Sequence, residues 1–413
     1  MFRIVIAPDK FKGSLDSFAV CANIEKGLRM AAADLEIIQL PLADGGDGLL
    51  DIIARYKDVR IHRAIVKGPL FKPVSADWLL SADGRTAYIE MAKASGLQLL
   101  EPSEYNCLLS STYGTGELIG EAIRAGAEEI VIGIGGSATN DGGIGMAAAL
   151  GYRFLDAGGE ELAPIGASLV RLARIEAPQM PGRQGSGWLE SAGQATAMPT
   201  ARREESTGWQ GVKFRVACDV RSPLCGDSGA TRVYAPQKGA DPLMVEQLEA
   251  GMLHYAEVLR RDLGIDVSGR EGAGAAGGLG AGCMVFLQAG LVKGTDLVIE
   301  YSNAEQHIQV ADLIITGEGK MDRQTLEGKL VAGIAALGKR YHKPVVAICG
   351  TLELSAAEWK EMGITAAFSI VNGPMSLEEA RAHSAALLGE TAYNIGALIV
   401  CGNSAFRTLF PAS

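Results

Sequence analysis

The sequence predicts an α/β protein built on mainly parallel sheets, and three observations carry that expectation. Short β-branched runs alternate with longer segments of helical period along most of the 413 residues. Several of these runs end in loops of Gly, Ser, Asp and Lys, the junctions at which parallel sheets hold ligands. The rhythm breaks once and later returns, as it does when one α/β domain is interrupted by another. Two α/β domains are therefore expected, a discontinuous one at residues 1–67 and 290–413 and an inserted one at 68–289.

Taken in order, "RIVIAP" is a buried-strand run that leads into the loop "DKFKGSL". From Asp16 onward, Phe18, Val20, Cys21, Ile24, Leu28 and Met30 recur at helical spacing, with Asp16 or Ser14 as the cap. A second strand, "LEIIQLPL", ends at "ADGGDG", and a helix starts at Leu49. Three strand-like runs separated by turns follow ("RIHRAIVKGP", "KPVSADWLLS", "RTAYIEMA"), and this change of rhythm places a boundary near Gly68. The strand "EEIVIGIGG" and its following helix form the centre of the inserted domain. Residues 181–211 are rich in Gly, Ser, Thr, Ala and charge, lack any period, and read as a long exposed loop. "VKFRVACDV" is another strand, with helices expected at 242–263 and 275–290. The βα rhythm returns with "ADLIITGEG", a helix at 324–340, "KPVVAICG", another helix, and "AAFSIV" before a helical tail.

Composition narrows the function classes. At 48% hydrophobic and 21% charged the chain sits at the globular average. A net charge of −10 opposes general affinity for nucleic acid or anionic membrane, so an anionic ligand has to be held locally. Seven scattered cysteines with no C-x-x-C pair argue against a disulfide framework or a zinc site and for a cytoplasmic protein. The short apolar run before Pro8 is no signal peptide, and the charge-free stretch at 272–292 is too glycine-rich to be a membrane span.

Five strand ends carry distinctive loops: "APDKFKGS", "ADGGDG", "GIGGSATNDGG", "ACDVRSPLCG" and "TGEGKMDRQT". In the third, Gly133, Gly135, Gly136, Gly142 and Gly143 let backbone amides approach an anion without a Cβ in the way, and Ser137, Thr139 and Asn140 add donors. A dinucleotide site is a rival, because Gly133, Gly135 and Ala138 satisfy G-x-G-x-x-[GA] with Asp156 downstream, although "TNDGG" is a poor first helical turn. Asp9, Lys10 and Lys12 put an acid and two cations at the first strand end. Acids recur at Asp44, Asp47, Asp141, Asp219, Glu318 and Asp322. Such residues suit phosphoryl transfer, which needs carboxylates for Mg²⁺ and for the hydroxyl proton. The chain has no G-x-x-x-x-G-K-[ST], no G-x-S-x-G and no H-E-x-x-H. A third class, a sugar-acid sensor without turnover, fits the same loops.

Read together, "IVIAPDKFKGSL", "PLADGGDG", "GIGGSATNDGG", "ACDVRSPLCG", "GAAGGLGAG" and "TGEGKMDRQTLEGK" resemble the bacterial type I glycerate kinase family over nearly the whole chain. The resemblance implies a flavodoxin-like discontinuous domain with the second domain inserted in it and the active site in the cleft. It implies ATP- and Mg²⁺-dependent phosphorylation of D-glycerate, at the 2-hydroxyl or alternatively the 3-hydroxyl, in glyoxylate metabolism. By motif it puts anion binding on Lys10, Lys12 and Ser14, and the glycine cradle on Gly135, Gly136 and Ser137. Asn140, Asp141 and Asp219 would face the reacting groups, with Asp141 or Asp219 as the base. Glu318 and Asp322 are candidates for nucleotide or metal contacts, and Asp9 and Asp44 for orienting the substrate or, for Asp44, the metal. The segment at 181–211 is longer than the family pattern.

Overall fold

The computed structural model describes residues 2–43, 48–178, 211–326 and 329–409. Its strands, in chain order, are β1 (Arg3–Ile6), β2 (Glu36–Gln39), β3 (Val59–Lys67), β4 (Pro73–Ser81), β5 (Thr86–Glu90), β6 (Glu129–Gly133), β7 (Arg153–Leu155), β8 (Arg174–Glu176), β9 (Lys213–Ala217), β10 (Gly290–Val292), β11 (Leu313–Met321), β12 (Val345–Leu352) and β13 (Ala366–Ser369). The chain divides into two compact units, residues 1–56 with 294–413, and residues 57–293.

In the first unit a five-stranded sheet runs β13-β12-β11-β1-β2, with every neighbouring pair parallel. Counted within the unit this is the order 2-1-3-4-5 of a doubly wound sheet, whose switch point lies between β1 and β11. Ile4, Val5 and Ile6 are buried because helices cover both faces. The helix Ser17–Ala31 starts where Asp16 accepts the Ala19 amide at 2.7 Å, so Asp16, not Ser14, is the cap. It packs along the C-terminal helix Ser384–Leu409, where a Cβ on Gly27 would lie 2.2 Å from the Gly389 carbonyl oxygen. That helix has an 18-residue window, Ser384–Cys401, long and apolar enough to cross a membrane, but Leu387, Leu388, Ala392 and Ile395 are core residues of this unit.

The second unit holds a six-stranded sheet in the order β10-β9-β6-β5-β4-β3, parallel from β5 to β10 and antiparallel from β3 to β5. β3 pairs with β4 over its whole length, from Val59 with Ser81 to Lys67 with Pro73. Gly68 is thus the turn of a hairpin, and the break in rhythm there falls inside a unit that already begins at Lys57. A small antiparallel pair, β7 with β8, lies outside the main sheet. The long helix is Pro242–Leu263, with Asp241 as cap, proline in its first turn and Gly264 at φ +69° closing it. The helix expected at 275–290 ends at Phe286, and its start is interrupted by left-handed backbone at Ala276, Gly277 and Gly278. The helix expected at 324–340 appears as Arg323–Leu326 and Leu330–Arg340.

Candidate active site

The loop that follows β6 is the most heavily organised strand tip of the second unit. It pairs briefly with residues 95–97: the Leu97 amide donates to the Gly136 carbonyl at 2.9 Å and the Ala138 amide to the Ser95 carbonyl at 3.0 Å. Gly136 has φ +73°, a left-handed conformation that glycine adopts without strain. Among the described residues, no acceptor meets the amides of Gly135, Gly136 and Ser137. Three successive N–H groups around a left-handed glycine form a concave donor site suited to an anion.

Beneath this turn the loop is held by Asp141, which is 0% exposed. One carboxylate oxygen accepts the Thr112 amide at 2.7 Å, the Thr112 hydroxyl at 2.8 Å and the Gly145 amide at 3.2 Å, and the other accepts the Gly143 amide at 3.1 Å. Burial raises the Asp141 pKa, against the opposing pull of these donors. With its oxygens so occupied, Asp141 fixes the loop and is no exposed base; the sequence showed an acid among glycines but not the four donors that fold around it. Asn140 is also buried, donating to the Thr231 hydroxyl at 3.1 Å. Asn140 Oδ1 and Thr139 Oγ1 are buried and meet no partner among the described residues.

The second glycine-rich motif explains itself by close approach. Gly142 donates its amide to the Gly277 carbonyl at 3.0 Å, and a Cβ on Gly277 would sit 2.0 Å from the Thr139 carbonyl oxygen. A Cβ on Gly278 would be 2.8 Å from Gly142 Cα. "GAAGGLGAG" therefore packs backbone against the backbone of residues 139–143, and the Tyr255 hydroxyl closes the far side with a 3.0 Å bond to the Gly142 carbonyl.

Sequence reasoning missed Lys238. This lysine ends a single 3-10 turn, Pro236–Lys238, and is 2% exposed. Its Nζ donates to Ser137 Oγ and to the Thr139 carbonyl, both at 2.7 Å. Burial lowers its pKa to about 8, while Cys107 and Asp141 nearby pull it up. Nothing in "APQKGA" marks it; its role comes entirely from tertiary placement.

Asp219 stands exposed two residues beyond β9, whose Ala217 pairs with Gly133 at the base of the loop. In the first unit, Asp9 follows β1 and Glu318 lies within β11, the two strands at the switch point, and the Asp9 amide donates to the Gly317 carbonyl at 2.8 Å. Both carboxylates are buried; Glu318 accepts the Thr325 hydroxyl at 2.7 Å. Lys10, half-buried, lines a cavity of about 470 Å³ with Asp16, Leu42, Asp51 and Arg55. Lys12 and Ser14 are exposed, and the Ser14 hydroxyl is engaged by Ser384 and the Arg381 carbonyl. Asp322 pairs with Lys320 at 3.5 Å and accepts the Gln324 amide at 2.9 Å, while Lys320 also reaches Glu353 at 2.9 Å. Asp44, Asp47 and nearly all of the 181–211 segment lie outside the described residues.

The dinucleotide alternative on Gly133 to Ala138 does not survive the geometry. A nucleotide-binding fingerprint needs the helix to open at the glycine turn, whereas residues 134–143 form a loop and the helix begins only at Ile144. Asp156, the supposed ribose ligand, sits in a tight turn and accepts the Gly158 and Glu160 amides.

Comparison with known proteins points one way. The family model "Glycerate kinase family" matches residues 4–197 and 183–400. The "Glycerate kinase" of Bacillus subtilis (strain 168) is 42% identical over 98% of this chain and 99% of its own length. The "Glycerate 2-kinase" of Escherichia coli (strain K12) is 41% identical over 97% of this chain and 98% of its own. A crystal structure from Salmonella typhimurium LT2, named as a candidate glycerate kinase 2, superposes with a TM-score of 0.78 at 40% identity, covering 98% of this chain and 99% of that one.

Proposed function

The chain belongs to the glycerate kinase family, and we infer that it is a kinase that transfers the terminal phosphoryl group of ATP to D-glycerate, at the 2-hydroxyl. The choice of the 2-position is supported by the relative whose name specifies it. The structural observation that carries the reading is the turn Gly135–Gly136–Ser137, with three unengaged amides above a buried lysine.

Phosphoryl transfer asks a protein mainly for positioning and charge neutralisation. In this proposal the amides of Gly135, Gly136 and Ser137 take phosphate oxygens of the nucleotide. Asp219, exposed at the neighbouring strand tip, accepts the proton of the attacking hydroxyl. Asp141 and Asn140 hold the loop from within. In the first unit, Lys10 and Arg55 line a cavity together with Asp16 and Asp51, and Asp9 and Glu318 at the switch point are further candidate contacts of that unit. Lys12 and Ser14 stay candidates for looser anion contact at the surface.

Mg²⁺ belongs to the proposal as the companion of ATP, where it neutralises phosphate charge. The described carboxylates do not build a cage for it. No three His, Cys, Asp or Glu side chains gather among the described residues, and Asp322 already faces the Lys320 ammonium. No step is therefore assigned to the ion. A cytoplasmic location and a place in glyoxylate metabolism belong to the same proposal. The test is ADP release followed with ATP, Mg²⁺ and D-glycerate. Release is expected only when glycerate is present, and a rate that glycerate does not raise overturns the reading.

A further inference from the structure

We propose that Lys238 is a positioning residue that turns the Ser137 hydroxyl outward as a hydrogen-bond donor, making the Gly135–Ser137 turn a cradle of donors alone. An ammonium only donates, and a hydroxyl has one hydrogen to give and two lone pairs. Lys238 Nζ donates to Ser137 Oγ at 2.7 Å from inside the protein, so the Ser137 hydrogen has to point away from it. Ser137 is 9% exposed and lies next to exposed Gly136, so the way out leads to the turn itself. A second bond, from Nζ to the Thr139 carbonyl at 2.7 Å, fixes the ammonium against the loop it serves.

The consequence is selectivity by polarity. Three consecutive amides that meet no acceptor among the described residues and one outward hydroxyl then lie over a buried positive charge, a set of donors that favours a ligand bringing acceptors. Phosphate oxygens satisfy that; a neutral hydroxyl ligand, which must place a hydrogen somewhere, does not. The arrangement depends on charge. As a neutral amine, Lys238 can accept from Ser137 and draw its hydrogen inward. The groups facing it are the Asp141 carboxylate and the Cys107 thiol, and burial leaves its pKa at about 8. The outward donor is present below that pH and lost as pH rises through it.

This inference rests on the reading of the loop as the nucleotide phosphate site, and the test separates the two. kcat/KM for ATP is measured from pH 6.5 to 9.5 in wild type, Ser137→Ala, Lys238→Met and the double variant, with thermal unfolding as the check on folding. Removing one hydrogen bond to a charged group costs about 10-fold or more. Each single variant is therefore expected to lose about 10-fold in kcat/KM for ATP at pH 7, with KM for glycerate unchanged. The double variant should be no worse than either single. Wild type should show an alkaline fall with a midpoint near 8, and Ser137→Ala should lack it. If Ser137→Ala leaves kcat/KM for ATP at the wild-type value, the Ser137 hydroxyl is no part of the cradle and the Lys238 inference is overturned, while the amide reading of the loop stands. If Ser137→Ala is impaired but keeps the alkaline fall, or the two losses multiply in full, the loop reading stands and the Lys238 inference is overturned. Should Lys238→Met not fold, the pH profile of Ser137→Ala alone decides.

Discussion

Replacing Gly277 by alanine tests the close packing that shapes the candidate site. Gly277 has φ +67°, where an L-residue costs about 1–2 kcal/mol. Its added Cβ would also lie 2.0 Å from the Thr139 carbonyl oxygen and 2.7 Å from Asn140 Cα, both backbone atoms that cannot rotate away. Overpacking of that kind adds about 1–3 kcal/mol. Gly84 supplies the control, because it has φ +73° with nothing within 4 Å of the added Cβ, so Gly84→Ala carries the dihedral cost alone. In a unit of this size each kcal/mol moves the midpoint by about 2–4 °C. Scanning calorimetry should therefore place Gly277→Ala about 2–12 °C below Gly84→Ala, and kcat/KM for ATP should fall only in Gly277→Ala. Equal midpoints in the two variants would refute the claim that the second glycine motif exists to admit the loop.

Three further outcomes are expected. Thr112→Val removes a hydroxyl that donates to Asp141 and accepts the Met146 amide at 2.8 Å, leaving two buried groups short of a partner. Chemical denaturation should show a loss of about 2–4 kcal/mol, and a loss under about 0.5 would contradict the placement of Asp141. Asp219→Asn, at an exposed strand tip, should lower kcat by about 100-fold or more while leaving the unfolding midpoint in place; near-normal turnover removes Asp219 from the mechanism. Lys238 has a folded pKa of about 8 against an ordinary value of 10.5, so the unfolded chain binds more protons between those limits. Its burial costs stability below pH 8, and that cost is relieved as pH rises toward 10.5. Denaturation at pH 7 and pH 9.5 should thus show wild type gaining on Lys238→Met at the higher pH, and an unchanged difference would mean that burial does not lower the Lys238 pKa.

What the sequence made legible was mostly local. The runs Ile4–Ile6 and Ile130–Ile132 are β-branched and apolar because both faces of their sheets are covered, and the helix at 242–263 carries its cap, its proline and its closing glycine in plain view. The glycine loop after β6 was visible because its composition suits nothing but close approach. What stayed hidden depends on partners distant in the chain. Gly68 resembles a domain boundary until β3 is seen paired with β4 along nine residues. Asp141 looks like a catalytic acid until Thr112, Gly143 and Gly145 are seen to surround it. Lys238 has no motif at all, and only the fold carries it from residue 238 to the underside of Ser137.

The most direct measurement of the central claim is the phosphorus spectrum of the product formed from ATP and D-glycerate. An ester at the 2-hydroxyl couples to the single proton on its carbon, so a doublet that grows with glycerate consumption is the predicted result. A triplet from coupling to two protons moves the transfer to the 3-hydroxyl, and a spectrum with no new phosphate ester of glycerate contradicts the account.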